Sequence, residues 1–167
     1  MKKFFILGLA LFAAAGCTVT LQMDPQTAAV PTLATGELIY VAKGKDKFPE
    51  ETKIVQEFLA EQLTPYASRV FRSQSVVPFA YLSKVADAMQ TGYVFYVETL
   101  QWEDHNTPWT TVRDKVKLKI IVVDARTQKI LYQDTVYGRS TLWTMRNHQP
   151  DVVAEDLVKK LVADLFQ

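Results

Sequence analysis

The sequence has little of what most readily betrays a function. It holds one cysteine and two histidines in 167 residues. One cysteine excludes an intramolecular disulfide framework and any site built from several thiolates. With Gly 6 and Pro 7, the chain is neither collagenous nor of low complexity. Charge of neither sign dominates: Lys+Arg number 19 and Asp+Glu 18, so no basic excess points to nucleic acid. Glycine patterns of the phosphate-loop or dinucleotide type are missing. No apolar run reaches the roughly 20 residues that a membrane-crossing helix needs. What remains is the make-up of one folded domain, or at most two: 49% hydrophobic residues and 22% charged.

The first sixteen residues stand apart. Lys2 and Lys3 precede an almost unbroken apolar run from Phe4 to Ala15, and small residues then lead to Cys17. The run is too short to span a bilayer and has the length and flanks of a cleaved secretory signal. Ala14-Ala15-Gly16-Cys17 resembles the lipobox of bacterial lipoproteins, with Ala14 where Leu is commonest. The resemblance implies that Cys17 becomes the acylated first residue and carries a covalent lipid such as palmitate, with no other cofactor expected. Several acyl chains hold a protein firmly, whereas one binds marginally. By the sorting rule of enterobacterial lipoproteins, Thr18 rather than Asp after the cysteine implies the outer membrane, on its periplasmic face. Removing residues 1–16 leaves 17 basic against 18 acidic side chains.

Residues 17–36 read as the lipidated cysteine and a flexible tether, containing Pro25 and Pro31 and no sustained periodicity. As a coil it spans about 24 Å, and its apolar Leu21, Met23 and Leu33 are candidates to pack on the domain. A globular domain over residues 37–167 follows. Glu37–Ala42 is rich in strand formers. From Glu50 to Leu63, Ile54, Val55, Phe58, Leu59 and Leu63 recur at helical spacing. Arg69–Arg72 is a brief strand, and Phe79, Leu82, Val85, Ala86 and Met89 outline a second helix. Three strands come next: Tyr93–Trp102, apolar on both faces; Val112–Ala125, sharply alternating; and Lys129–Tyr137. Asp124–Lys129 forms a hairpin turn in which Gln128 takes a place better suited to glycine. A last helix runs from Asp151 to Phe166 behind Pro150. The order strand-helix-strand-helix-strand-strand-strand-helix predicts an α/β (α+β) fold with one mixed sheet and helices packed on it.

The C-terminal half carries a second resemblance. Trp102-Glu103-Asp104 at a strand end, Val123-Asp124-Ala125, Gly138-Arg139-Ser140 and the helix behind Pro150 resemble a family of small Gram-negative lipoproteins known as a domain of unknown function. The likeness extends from about Gly92 to Phe166. His105 and Pro108 depart from that family's tryptophan motif, and Lys43–Pro49 replaces its glycine-rich segment. The element order also looks like accessory envelope lipoproteins related to the N-terminal domain of the Tol-system β-propeller protein, a likeness of fold alone.

Several constellations could carry chemistry. Trp102, Asp104, His105 and Trp109, with Arg139 and Trp143 further on, could grip a partner through aromatic faces and fixed charges. The structural alternative puts Trp102 at the core edge, with Glu103 and Asp104 bonding the turn or pairing with Arg113 or Arg139. Asp104, His105 and His148 have no recognised zinc spacing, so no metal is expected. Ser83 and Ser140 lack a nucleophile elbow. Glu98 and Glu103 lie five apart, which in a regular strand points them to opposite faces and argues against a glycosidase pair. The row Lys115, Lys117 and Lys119 suits anionic head groups or simply a wet strand face. The expectation is a noncatalytic, membrane-anchored module that binds another envelope component, a protein. The alternatives are a carrier or sensor of a small apolar or glycan ligand and, behind it, a hydrolase.

Overall fold

A computed structural model describes residues 22–23, 30–45, 47–105, 113–140 and 149–167. The elements in chain order are β1 (Gln22–Met23), β2 (Glu37–Lys43), α1 (Pro49–Leu63), β3 (Ala67–Val76), α2 (Leu82–Met89), β4 (Tyr93–Glu103), β5 (Lys115–Asp124), β6 (Ile130–Arg139) and α3 (Pro150–Leu165). Both α1 and α3 open on a proline, which has no N–H to lose in the first turn. Acids follow at once, Glu50 and Glu51 in α1 and Asp151 in α3, where the helix dipole is positive.

The second expected helix divides in two. Phe79–Tyr81 is a 3-10 turn, and α2 begins only at Leu82. It stops at Gln90, whose φ of 62° is left-handed, and Gly92 follows at φ 84°. A Cβ on Gly92 would lie 1.9 Å from the Leu38 carbonyl oxygen, so the chain passes β2 too closely for any side chain. Gln128 in the β5–β6 hairpin also has positive φ, 58°, as its place in the sequence suggested. Two sets of bonds offset that strain. Asp124 Oδ1 accepts from the N–H groups of Arg126 and Thr127 at 2.8 and 3.1 Å, and Gln128 Nε2 donates to Asp87 of α2 at 3.0 Å.

The strands form one mixed sheet in the order β1-β6-β5-β4-β2-β3. β4, β5 and β6 form an antiparallel meander, and β2 runs parallel to both β3 and β4. The connection through α1 steps outward from β2 to β3, and the one through α2 steps back across β2 to β4. Right-handed crossovers taken in opposite directions put their helices on opposite faces. Accordingly α1 and α3 share one face with Ile39, Val41, Phe95, Val97, Leu118, Ile120 and Val122, all at most 1% exposed. α2 covers part of the other face, over Ala42, Val94, Tyr96, Ile121 and Val123. The sheet thus has a sixth, very short strand beyond the five expected, and β3 runs well past Arg69–Arg72.

The approach to β2 is fastened to the domain. Leu33 is buried and its N–H donates to Leu165 O at 2.7 Å. Tyr66 and Phe166 stack with ring centroids 4.7 Å apart. α3 lies against β6 at Gly138, where a Cβ would come within 2.7 Å of Val153 and 2.9 Å of Leu157. This close approach is why glycine stands in the Gly138-Arg139-Ser140 run.

Candidate functional site

A single extra residue in β4 determines which side chains meet. The ladder between β4 and β5 slips between Thr99 and Gln101, leaving Leu100 as an exposed bulge. Before the bulge, Thr99 faces α1, where its N–H donates to Thr52 Oγ1 at 3.1 Å. After it the alternation is reversed. Trp102 turns inward and packs, partly buried, against the main core, and Glu103 turns to the open face. Glu98 and Glu103 therefore project from the same face, opposite Lys119 and Lys115, and not from opposite faces as regular spacing implies. The bulge is the reason.

Three cross-strand rows result on the half of this face that no described helix covers. They are Glu98–Lys119–Thr135, Gln101–Lys117–Tyr137 and Glu103–Lys115–Arg139. Lys115 Nζ lies 2.9 Å from Glu103 Oε2, and Lys119 Nζ lies 3.6 Å from Glu98 Oε2. Gln101 Nε2 donates to the other Glu103 oxygen, and Tyr96 OH donates to Glu98. At the edge of the ladder Phe79, 47% exposed, takes the Lys119 ammonium over its ring at 5.1 Å and meets Tyr96 edge-on at 6.0 Å. The Lys115 ammonium and the Gln101 amide hold the Glu103 carboxyl down to about 2, and Glu103 in turn raises Lys115. Solvent-accessible pairs of this kind add little to stability. Their larger effect is to fix a pattern of charge on rigid strands.

A hydrogen-bonded clamp closes the end of the ladder. His105 N–H donates to Asp114 Oδ1 at 2.7 Å, Asp114 N–H donates to Ser140 Oγ at 3.0 Å, and Ser140 N–H returns to Asp114 O at 3.0 Å. The backbone at His105 is thus bonded by Asp114, whereas Glu103 pairs with Lys115 rather than with Arg113 or Arg139. His105 Nε2 lies 3.4 Å from Glu103 Oε2. A serine, an aspartate and a histidine meet here, but not as a proton relay. Asp114 holds the His105 backbone, not its imidazole, and the Ser140 hydroxyl receives a backbone N–H. Glu103, ionised down to about pH 2, is a poor general base near neutrality. Among the described residues no three His, Cys, Asp or Glu side chains cluster as metal ligands.

Of the residues singled out in the sequence, Asp104, His105 and Arg139 sit at this end of the open face or its rim, and Trp102 belongs to the core. Cys17, Trp109, Trp143 and His148 lie outside the described residues. Asp114 and Gln101 were missed. A turn-forming acid directly before an alternating strand is the signal that marks Asp114. Among the described residues no helix is long and apolar enough to cross a membrane.

Two known structures with TM-scores above 0.5 show the same fold. The PelC dodecamer from Paraburkholderia phytofirmans is similar in two crystal forms. A point variant of it in space group C2 has 17% identity and a TM-score of 0.64, covering 89% of this chain and 98% of that one. The form in space group P6 has 18% identity and a TM-score of 0.62, covering 89% and 97%. Lipoprotein GNA1162 from Neisseria meningitidis is a looser likeness, with 14% identity, a TM-score of 0.41 and 62% and 82% coverage. No protein of curated function matches the sequence. Residues 32–164 match the family described as domain of unknown function DUF4823, and the chain belongs to that family.

Proposed function

We propose that the protein is a lipid-anchored lipoprotein of the outer membrane, facing the periplasm, and that it serves as a noncatalytic docking module for an envelope protein. The observation that carries the docking reading is the open half of the sheet face. There Lys115, Lys117, Lys119 and Arg139 outnumber Glu98 and Glu103 on three hydrogen-bonded strands, with exposed Phe79 alongside. Such a surface suits a partner that presents carboxylates around an apolar contact, since complementary charge selects and orients a partner more than it adds affinity. The chemistry of the strand end supports binding over catalysis, because its carboxylates are already engaged by Lys115 and by backbone.

Photoreactive side chains placed at Lys117 and Arg139 in intact cells should trap one discrete protein, and one at exposed Glu155 on α3 should not. The same blank at all three positions, with the protein correctly localised, overturns the docking reading. The anchor has its own test. Radiolabelled palmitate should enter the natural chain and not Cys17→Ala, and equal labelling removes the anchor.

A second reading is favoured by β3. This ten-residue edge strand exposes Phe71 and Val76, and among the described residues no strand pairs with its outer side. An unpaired strand edge presents a row of N–H and C=O groups to which another strand can pair. The same fold occurs in a protein solved as a dodecamer. In this reading the partner is a second copy of the chain, and sedimentation of the full chain in detergent should show an assembly that Phe71→Lys dissociates. A monomer at all concentrations excludes it.

A further inference from the structure

A polar pocket of about 90 Å³ lies on the opposite side of the molecule from α2, between α1 and the β2–β3 edge. We propose that it binds a small tetrahedral oxyanion of the phosphate class. The site is separate from the open sheet face, so this inference stands or falls independently of the docking reading.

The floor is built from two buried polar side chains. Gln56 is 4% exposed and Ser73 is 6% exposed, and both would be costly to bury without partners. Gln56 Nε2 donates to Val41 O at 2.8 Å, to Ser73 O at 3.2 Å and to Ser73 Oγ at 3.1 Å. Lys43 N–H donates to the same Ser73 Oγ at 2.9 Å. The hydroxyl oxygen therefore accepts twice, which leaves its proton to be given to an acceptor in the pocket. A register slip between Val41 and Lys43 opens the β2–β3 ladder at this point. Bulges commonly re-aim groups in this way beside binding sites.

The walls supply the charge. Lys43, Lys53 and Arg72 line the pocket against one carboxylate, Glu57, which lies 3.4 Å from Arg72 Nη1. The lining therefore carries a surplus of two positive charges, with the serine hydroxyl beneath them. A volume of about 90 Å³ is several times the ~10–15 Å³ that one water requires, enough to exchange a group of waters for one oxyanion. Lysine and arginine donors with a hydroxyl below are the usual complement of phosphate oxygens. The polar lining does not suit the apolar ligand of the carrier expectation. The phosphate group could come from the free ion or from a phospholipid headgroup, and the two are separable by titration.

The full chain in nonionic detergent is titrated with inorganic phosphate at constant ionic strength, and amide shifts are followed by NMR. Saturable shifts are expected at Lys43, Ser73 and Gln74 and not on the distant β5–β6 ladder. Lys53→Gln with Arg72→Gln should weaken binding at least about tenfold, the loss expected from two charged donors. Both substitutions are on exposed residues, so folding should persist. Ser73→Ala should weaken binding while the amide shift of Lys53, which does not bond Ser73, stays unchanged in the absence of phosphate; Lys43, whose N–H loses its acceptor, is not used as that control. Dihexanoyl phosphatidic acid is the second arm: binding tighter than phosphate assigns the headgroup, and binding no tighter assigns the free ion. Shifts that never saturate, or saturate equally in the double variant, overturn the proposal.

Discussion

On the face of the sheet covered by α1 and α3, Val116, Leu118, Ile120 and Val122 are fully buried, whereas the same strand presents half-exposed Lys115, Lys117 and Lys119 on the other face. One side of β5 is therefore held by area removed from water, about 25 cal/mol per Å² of apolar surface. The other is held by two half-exposed ion pairs of small individual worth. The wet face can vary its charges at little cost in stability, because the dry face specifies the fold without it. Past Lys119 the contrast ends: Ile121 and Val123 lie under α2, and both faces are dry. The open surface is thus the part of the meander that α2 is too short to reach.

The largest test of this contrast is on the dry side. Leu118→Ala should cost about 2–5 kcal/mol of unfolding free energy in denaturant melts. Its sequence neighbour Lys117→Ala should stay within about 0.5 kcal/mol, and comparable losses would mean that the two faces are not separate in energy. Gly138→Ala pushes a methyl between β6 and α3, and a loss of about 1–3 kcal/mol is expected. Asp114→Ala removes the acceptor for His105 N–H. About 1 kcal/mol should be lost, together with faster amide exchange at His105, while the buried core keeps its protection.

The smallest effect is on the wet side and depends on pH. The folded Glu103 carboxyl titrates near 2, below its ordinary value of 4.5, so its contribution to stability is complete above 4.5 and is lost as pH falls toward 2. Denaturation midpoints of Glu103→Gln should match this loss at neutral pH and fall less steeply than those of the natural chain between pH 4.5 and 2. Parallel curves would show that the Lys115 pair contributes nothing measurable.

The alternation of β5 and the stripe of Val153, Leu157, Leu161 and Leu165 are readable in the sequence because each buries one face against a partner layer. The strain at Gln128 is readable from its place in a short turn. The bulge at Leu100 is not. Tyr93–Glu103 is apolar on both sides for most of its length, so the sequence has no polar rhythm from which a slip could show. That slip decides whether Trp102 or Glu103 faces the core, and so the make-up of the site could not be read without it. The α1–β3 pocket was also hidden. Gln56 sits among Val55, Phe58 and Leu59 as an ordinary helix former, and only packing against Ser73 reveals it as a floor.

The bonds at the entrance to β2 also determine how the domain takes a mechanical load. A pull on the N-terminal segment first unzips β1 from β6, one bond after another, because only two residues are paired. It next meets Leu33, held by Leu165 O, and Gly36, whose N–H is held by Tyr66 O at 2.7 Å. Beyond that the force runs along β2, which is laddered on both sides to parallel strands and so loads all of those bonds together in shear. A chain suspended by this end loses its two-residue edge strand first, while β2 to β6 stay paired.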